Sequence, residues 1–209
     1  MNFEQYQNYL IDTATSLLSI DSTSGFTAKV TDYLIDTVKE LGYPVYKNNI
    51  GNVIVTVEGE DDSEPVALSA HVDTLGLMVR SITSDGMLMI TSIGSPLLPS
   101  LDGEYCNIHT RDGRVYTGTI LSLSPAVHVF PDASTRDRDE QNMAVRIDEI
   151  VHSKEDVEAL GIHAGDFVCY DPKTTFTKSG FLKSRFIDDK ACSCLLYTSP
   201  SPRDGLLSR

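Results

Sequence analysis

Two short stretches of the 209-residue chain combine metal-ligand residue types with apolar flanks. In Val66-Ala67-Leu68-Ser69-Ala70-His71-Val72-Asp73, a histidine and a carboxylate follow a run that reads as a buried strand. In open α/β sheets, ligands bind at the carboxyl ends of strands. A neutral imidazole is a zinc or cobalt ligand, and a carboxylate two residues on can accept the other ring N–H and fix its tautomer. On that reading His71 is a ligand and Asp73 orients it; a solvated or structurally bonded pair is the commoner origin of His-X-Asp. The second stretch is Lys183-Ser184-Arg185-Phe186-Ile187-Asp188-Asp189-Lys190, where adjacent carboxylates open an apparently helical segment. One aspartate with both oxygens free can bridge two divalent cations about 3.5–4 Å apart, which makes Asp188 the candidate bridge. The alternative is that Asp188 caps the helix while Asp189 and its basic neighbours sit in solvent.

The elements that must hold these residues are legible as periodicities. Tyr6, Leu10, Ile11, Ala14, Leu17 and Leu18 recur at helical spacing, and Val30, Leu34, Val38 and Leu41 do so again, with Gly42 where a C-cap belongs. The β-branched runs Val53–Val57 and Val66–Ser69 predict strands. Helices followed by apolar strands imply an α/β layer. Past Gly76 the chain reads as all-β: strands at Met87–Ile90, Tyr105–His109 and Val115–Ile120, with turns at Ser84-Asp85-Gly86 and Arg111-Asp112-Gly113. One short helix has Ser153 as N-cap, Asp156 three residues on and Gly161 closing it, and residues 131–141 form a charged loop. The organisation expected is an α/β domain of residues 1–77 plus 176–193, interrupted by a β-rich insert over 78–175.

Composition bounds the function. Hydrophobic residues are 41% and charged residues 22%, as in a folded globular protein. The net charge of −13 repels phosphate backbones and anionic lipid heads, so neither nucleic acid nor membrane is an expected partner. No apolar run approaches the roughly 20 residues of a membrane span, and the start has neither basic nor apolar leader character, which makes the cytoplasm the expected location. Cys106, Cys169, Cys192 and Cys194 lack zinc-ribbon spacing and read as free thiols. His109, His152 and His163 read as structural or exposed. His128, in Pro125-Ala126-Val127-His128, reads as a packing or dimer-contact residue ahead of a catalytic one.

With these residues placed, the chain resembles the glutamyl and tetrahedral aminopeptidases, family 42 of the metallopeptidases. The resemblance covers nearly the whole chain to Cys192: SGF at Ser24, GNVIV at Gly51, SAHVDTLGLMV at Ser69, then SPAVHVF, NMAVRID, LGIHAGDFV and SGFLKSRFIDDKAC. It implies a catalytic α/β sheet domain, truncated here, interrupted by a β-barrel-like dimerisation domain, with copies assembling into dimers and tetrahedral dodecamers. It also implies two divalent ions per subunit in the full-length enzyme, zinc or cobalt. The family's first histidine ligand falls on His71, its bridging aspartate on Asp188 and the supporting aspartate on Asp73. Thr74 departs from the pattern, since glutamate commonly follows that aspartate. The implied activity is removal of the N-terminal residue from peptides with a free N-terminus by a two-metal activated water. The family's general-base glutamate and remaining ligands have no counterpart in this chain. It is therefore expected to be an N-terminal part, inactive alone and poorly soluble. The rival readings are another two-metal hydrolase of related fold, a deacylase or an endoglucanase-labelled relative, and a non-catalytic dimerising fragment.

Residues 194–209 break the resemblance. The run from Cys194 to Asp204, CLLYTSPSPRD, resembles one reading frame of the transposase adapter used in sequencing libraries, and is expected to be a non-biological tail. Resequencing the source DNA across codon 193 checks this: adapter sequence should follow, and an unbroken natural frame through SPSPRD sinks the reading.

Overall fold

The computed structural model describes residues 3–59, 61 and 63–198. In chain order the elements are α1 (Phe3–Ser19), α2 (Ala28–Glu40), β1 (Val45–Lys47), β2 (Val53–Val55), β3 (Gly76–Ile82), β4 (Leu88–Ile93) and a 3-10 turn at Leu98–Leu101. There follow β5 (Tyr105–His109), β6 (Val115–Ser122), β7 (Met143–Ile147), α3 (Lys154–Ala159), β8 (Phe167–Tyr170), β9 (Thr175–Phe176), β10 (Leu182–Lys183) and α4 (Ile187–Thr198). They fall into two units: one holds the chain up to Ser22, Thr27–Asp73 and the chain from Pro172, and the other holds Thr23–Phe26 and Thr74–Asp171.

The first unit is built on helices. The apolar stripes of α1 and α2 bury Ala14, Leu17, Val30 and Leu34 together with Cys194 of α4, and Leu10, Ile20, Val53, Val72 and Leu182 pack around that cluster. Helix α2 ends at a Gly42 with φ +83°, whose N–H and that of Tyr43 satisfy the carbonyls of Lys39 and Val38. Two antiparallel hairpins, β1–β2 and β9–β10, complete it. The strand expected at Val66–Ser69 is not formed. That run joins no ladder among the described residues, and Val66 and Leu68 are 87% and 75% exposed. β-Branched composition supplies propensity, whereas a strand exists only where a neighbour pairs with it. Of the tail expected from residue 194, α4 takes the part to Thr198, and 199–209 lie outside the described residues.

The second unit is a closed six-stranded barrel in the order β3-β4-β7-β6-β5-β8, with β8 returning to β3 through Leu77↔Val168. Alternate residues point inward, so Leu77, Val79, Leu88, Ile90, Ile108, Ile120, Val145 and Val168 are buried. Closure leaves no unpaired strand edge. The short helix α3 carries the expected cap: Ser153 Oγ accepts from Asp156 N–H, and the Asp156 carboxylate accepts from His152 N–H. Residues Thr23–Phe26 join this unit, Thr23 bridging to Thr74 and the Phe26 ring stacking on Phe167. Gly76 lies directly under the buried Thr23 side chain, where a Cβ would overlap it. The charged loop is stitched down by Arg138 on Asp102 and Arg136 on Asp132. Glu140 anchors its end, accepting from Ser92 N–H at 2.7 Å and Thr91 Oγ1 at 3.1 Å.

Two outcomes follow for barrel stability. Gly76→Ala should cost about 1–3 kcal/mol by overpacking against Thr23, read by denaturant unfolding. Hydrogen bonds from Ser92 hold the Glu140 carboxyl below its ordinary range, followed by the bond from Thr91 and the field of Arg80. A carboxyl depressed in the fold stabilises it above the unfolded-state pKa, and that contribution is lost as pH falls through the folded one. Glu140→Gln should therefore lower stability by about 1–2 kcal/mol at neutral pH, and the gap between variant and parent should close in acid.

Candidate metal centre

His71, Asp73 and Asp188 come together in the first unit. His71 Nδ1 lies 3.1 Å from the Asp73 main-chain oxygen and 3.3 Å from its carboxylate, while Nε2 lies 3.2 Å from Asp188 Oδ1. A carbonyl only accepts, so the Nδ1 contact assigns the proton to Nδ1. Nε2 of the neutral ring is then a lone pair facing a carboxylate oxygen. Two acceptors at that distance repel unless a cation, a proton or a metal, sits with them. Partial burial pulls the His71 pKa down, but the Asp73 carbonyl and carboxylate and then Asp188 outweigh it, and the ring holds its proton above the ordinary histidine range.

The local backbone explains how Asp188 is presented. Although α4 spans Ile187–Thr198, Asp188 (φ −80°, ψ 111°) and Asp189 (φ −121°, ψ 24°) are not helical, so their side chains stand ahead of the regular turns. The Asp188 side chain is 95% exposed and the His71 side chain 54%. Cys192 faces the same carboxylates: its hydrogen bond with Asp189, then burial, then the charges of Asp189 and Asp188 push its thiol up. A thiol held protonated is a poor metal ligand. All four cysteines are free.

Ser22 and Ser193, which sequence reasoning passed over, and Lys190, which the capping alternative put in solvent and the fold buries, hold this arrangement. Ser22 Oγ donates to the Val72 carbonyl at 2.8 Å, Ser193 Oγ donates to the His71 carbonyl at 3.2 Å, and Lys190 Nζ donates to the Ile20 carbonyl at 2.6 Å. The Lys190 side chain is buried, 1% exposed. The remaining histidines lie in the barrel unit. His109 is buried with its ring 4.6 Å from that of Phe26, and His128, His152 and His163 are exposed.

The donor set fits a divalent ion. Zinc bonds to imidazole nitrogen and carboxylate oxygen are about 2.0–2.2 Å long, which sets tetrahedral neighbours about 3.4 Å apart. The 3.2 Å between Nε2 and Oδ1 is close to that. Asp73 on the far ring nitrogen is the usual partner of a metal-bound histidine.

Comparison with known proteins adds to this geometry. YhfE of Bacillus subtilis (strain 168) is 47% identical over 180 residues, covering 86% of this chain and 52% of that protein. Aminopeptidase APDkam598 from the archaeon Desulfurococcus kamchatkensis superposes with a TM-score of 0.77 at 26% identity, over 88% of this chain and 49% of that one. The TET1 peptidase of Pyrococcus horikoshii, which can assemble into a tetrahedron or a large octahedral shell, shares the fold with a TM-score of 0.75 at 24% identity, over 93% and 57% of the two chains. The chain thus spans about half the length of the relatives it matches. Residues 51–199 match the family model of the M42 glutamyl aminopeptidases, and the chain belongs to that family.

Proposed function

We propose that the chain is the N-terminal part of a metal-dependent aminopeptidase that hydrolyses the first peptide bond of substrates with a free N-terminus. The observation that carries this reading is His71 Nε2 facing Asp188 Oδ1 at 3.2 Å, with Asp73 on the other ring nitrogen. The fragment reading is supported by the chain's span of about half its relatives' length.

His71 and Asp188 would hold the ions, zinc or cobalt, with Asp188 bridging two of them. Bound there, divalent cations would polarise the scissile carbonyl and acidify a water. The chain's own residues do the rest of what can be assigned. Asp73 keeps the His71 proton on Nδ1, leaving Nε2 free to ligate. Asp188 stands exposed with its second oxygen open, and Asp189 adds negative charge beside it, a setting that favours the ammonium of a peptide N-terminus. Association of copies through the barrel unit and a cytoplasmic location belong to the same reading. The shell assembly of the TET1 peptidase of Pyrococcus horikoshii supports association of copies.

The test is amino-acid release from aminoacyl-p-nitroanilides by protein expressed from the gene that contains this reading frame, with and without added cobalt or zinc. Metal-dependent release is expected, reduced at least a hundredfold in His71→Ala and Asp188→Ala and about 10–100-fold in Asp73→Ala. Release from acyl-amino acids or glucans alone, with none from the anilides, would replace this reading by the deacylase or glycosidase one.

A further inference from the structure

The segment that carries His71 has no ladder among the described residues, so β pairing does not set where its main chain lies. Its position is fixed by side chains instead. Buried Ser22 takes the Val72 carbonyl, and buried Ser193 takes the His71 carbonyl itself. Asp188 has the same difficulty, since its own backbone is not helical and its place depends on the helix that follows. That helix is tied at Lys190, two residues on, to the Ile20 carbonyl just beyond the end of α1.

Together these bonds close a circuit. Lys190 joins α4 to the end of α1, Ser22 joins the end of α1 to Val72, and Ser193 joins His71 back to α4. We propose that Lys190, assisted by Ser22 and Ser193, is a positioning residue that sets the separation of His71 from Asp188 and so tunes the site for a divalent cation, an inference that rests on the metal reading above.

The chemistry of Lys190 favours this role. Taking an ammonium out of water costs several kcal/mol, and a methionine of similar length would fill the space without that cost. What methionine lacks is a donor that reaches a main-chain carbonyl at 2.6 Å. An ammonium cannot ligate a cation, which separates its part from those of His71 and Asp188. Ile20 packs on the apolar core around Leu17 and Cys194, so the carbonyl that Lys190 holds belongs to a packed part of the unit.

The experiment titrates the protein expressed from the gene that contains this reading frame with cobalt(II) alone, following the visible ligand-field bands and the dissociation constant, with the melting temperature of the metal-free form measured in parallel. Lys190→Met is expected to weaken cobalt binding about tenfold and to alter the band envelope, Lys190→Arg to restore most of both, and Ser193→Ala to weaken binding severalfold. A purely structural role would move the melting temperature and leave the folded protein's cobalt affinity and spectrum as in the parent; that result overturns the proposal. Should Lys190→Met fail to fold, Ser193→Ala and Ser22→Ala decide it, since parental affinity and spectrum in both would equally overturn it. Absence of any cobalt binding sensitive to His71→Ala in the parent would instead remove the metal reading, and this inference with it.

Discussion

His71 Nε2 and Asp188 Oδ1, from residues 117 positions distant in sequence, are held 3.2 Å apart, a contact that is attractive only when a proton or another cation lies between them. Left neutral, this pair is repulsive, and it lasts only because the surrounding structure does not let it relax or because a cation joins it. The architecture of the first unit reads as the means of imposing it. The α1–α2 core fixes the end of α1, the end of α1 fixes Val72 through Ser22, and α4 is fixed to both α1 and His71. The three hydrogen bonds each end on a main-chain carbonyl, so each is indifferent to side-chain identity on the accepting side.

The barrel unit achieves order by a different route. Its strands satisfy one another's main-chain groups around a closed ring, with a continuous apolar interior, and its turns are locked by local bonds such as the Ser153–Asp156 cap and the Glu140 anchor. A ring with no edge can be inserted into another domain without offering that domain a competing strand. Its closing contact, β8 on β3, joins residues about 90 apart, so cooperativity there comes from closure and not from local propensity.

This difference explains what could be read in advance. Both long helices were legible because their apolar spacing is internal to each segment, and so were β4, β5 and β6, which flank polar turns with glycines. The strands β3, β7 and β8 gave weaker signals: β8 has four residues, and β7 follows a charged loop without a turn signature of its own. Val66–Ser69 was misread because composition cannot report whether a partner strand is present. At the site, His71, Asp73 and Asp188 were each visible as short motifs, and only the resemblance to a family joined them. Ser22 and Ser193 left no trace and Lys190 read only as a basic neighbour of Asp189, since serine and lysine are common everywhere and the carbonyls they hold carry no sequence signature.

The chain's acidity bears on the site in two opposed ways. A net charge of −13 raises the local concentration of divalent cations and of peptide ammonium groups, and Asp73, Asp188 and Asp189 concentrate that field beside His71. Two of these, Asp73 and Asp188, favour the imidazolium and outweigh the partial burial, so the His71 proton is held above its usual range. Proton and metal therefore compete for one lone pair under one field. A divalent ion would carry twice the charge of a proton into that field, and would take His71 Nε2 and an Asp188 oxygen as ligands where a proton on Nε2 forms a single hydrogen bond to Asp188 Oδ1. Discrimination in favour of a metal would then rest on geometry more than on charge, and the buried bonds of Ser22, Lys190 and Ser193 are the ones that bear on that geometry.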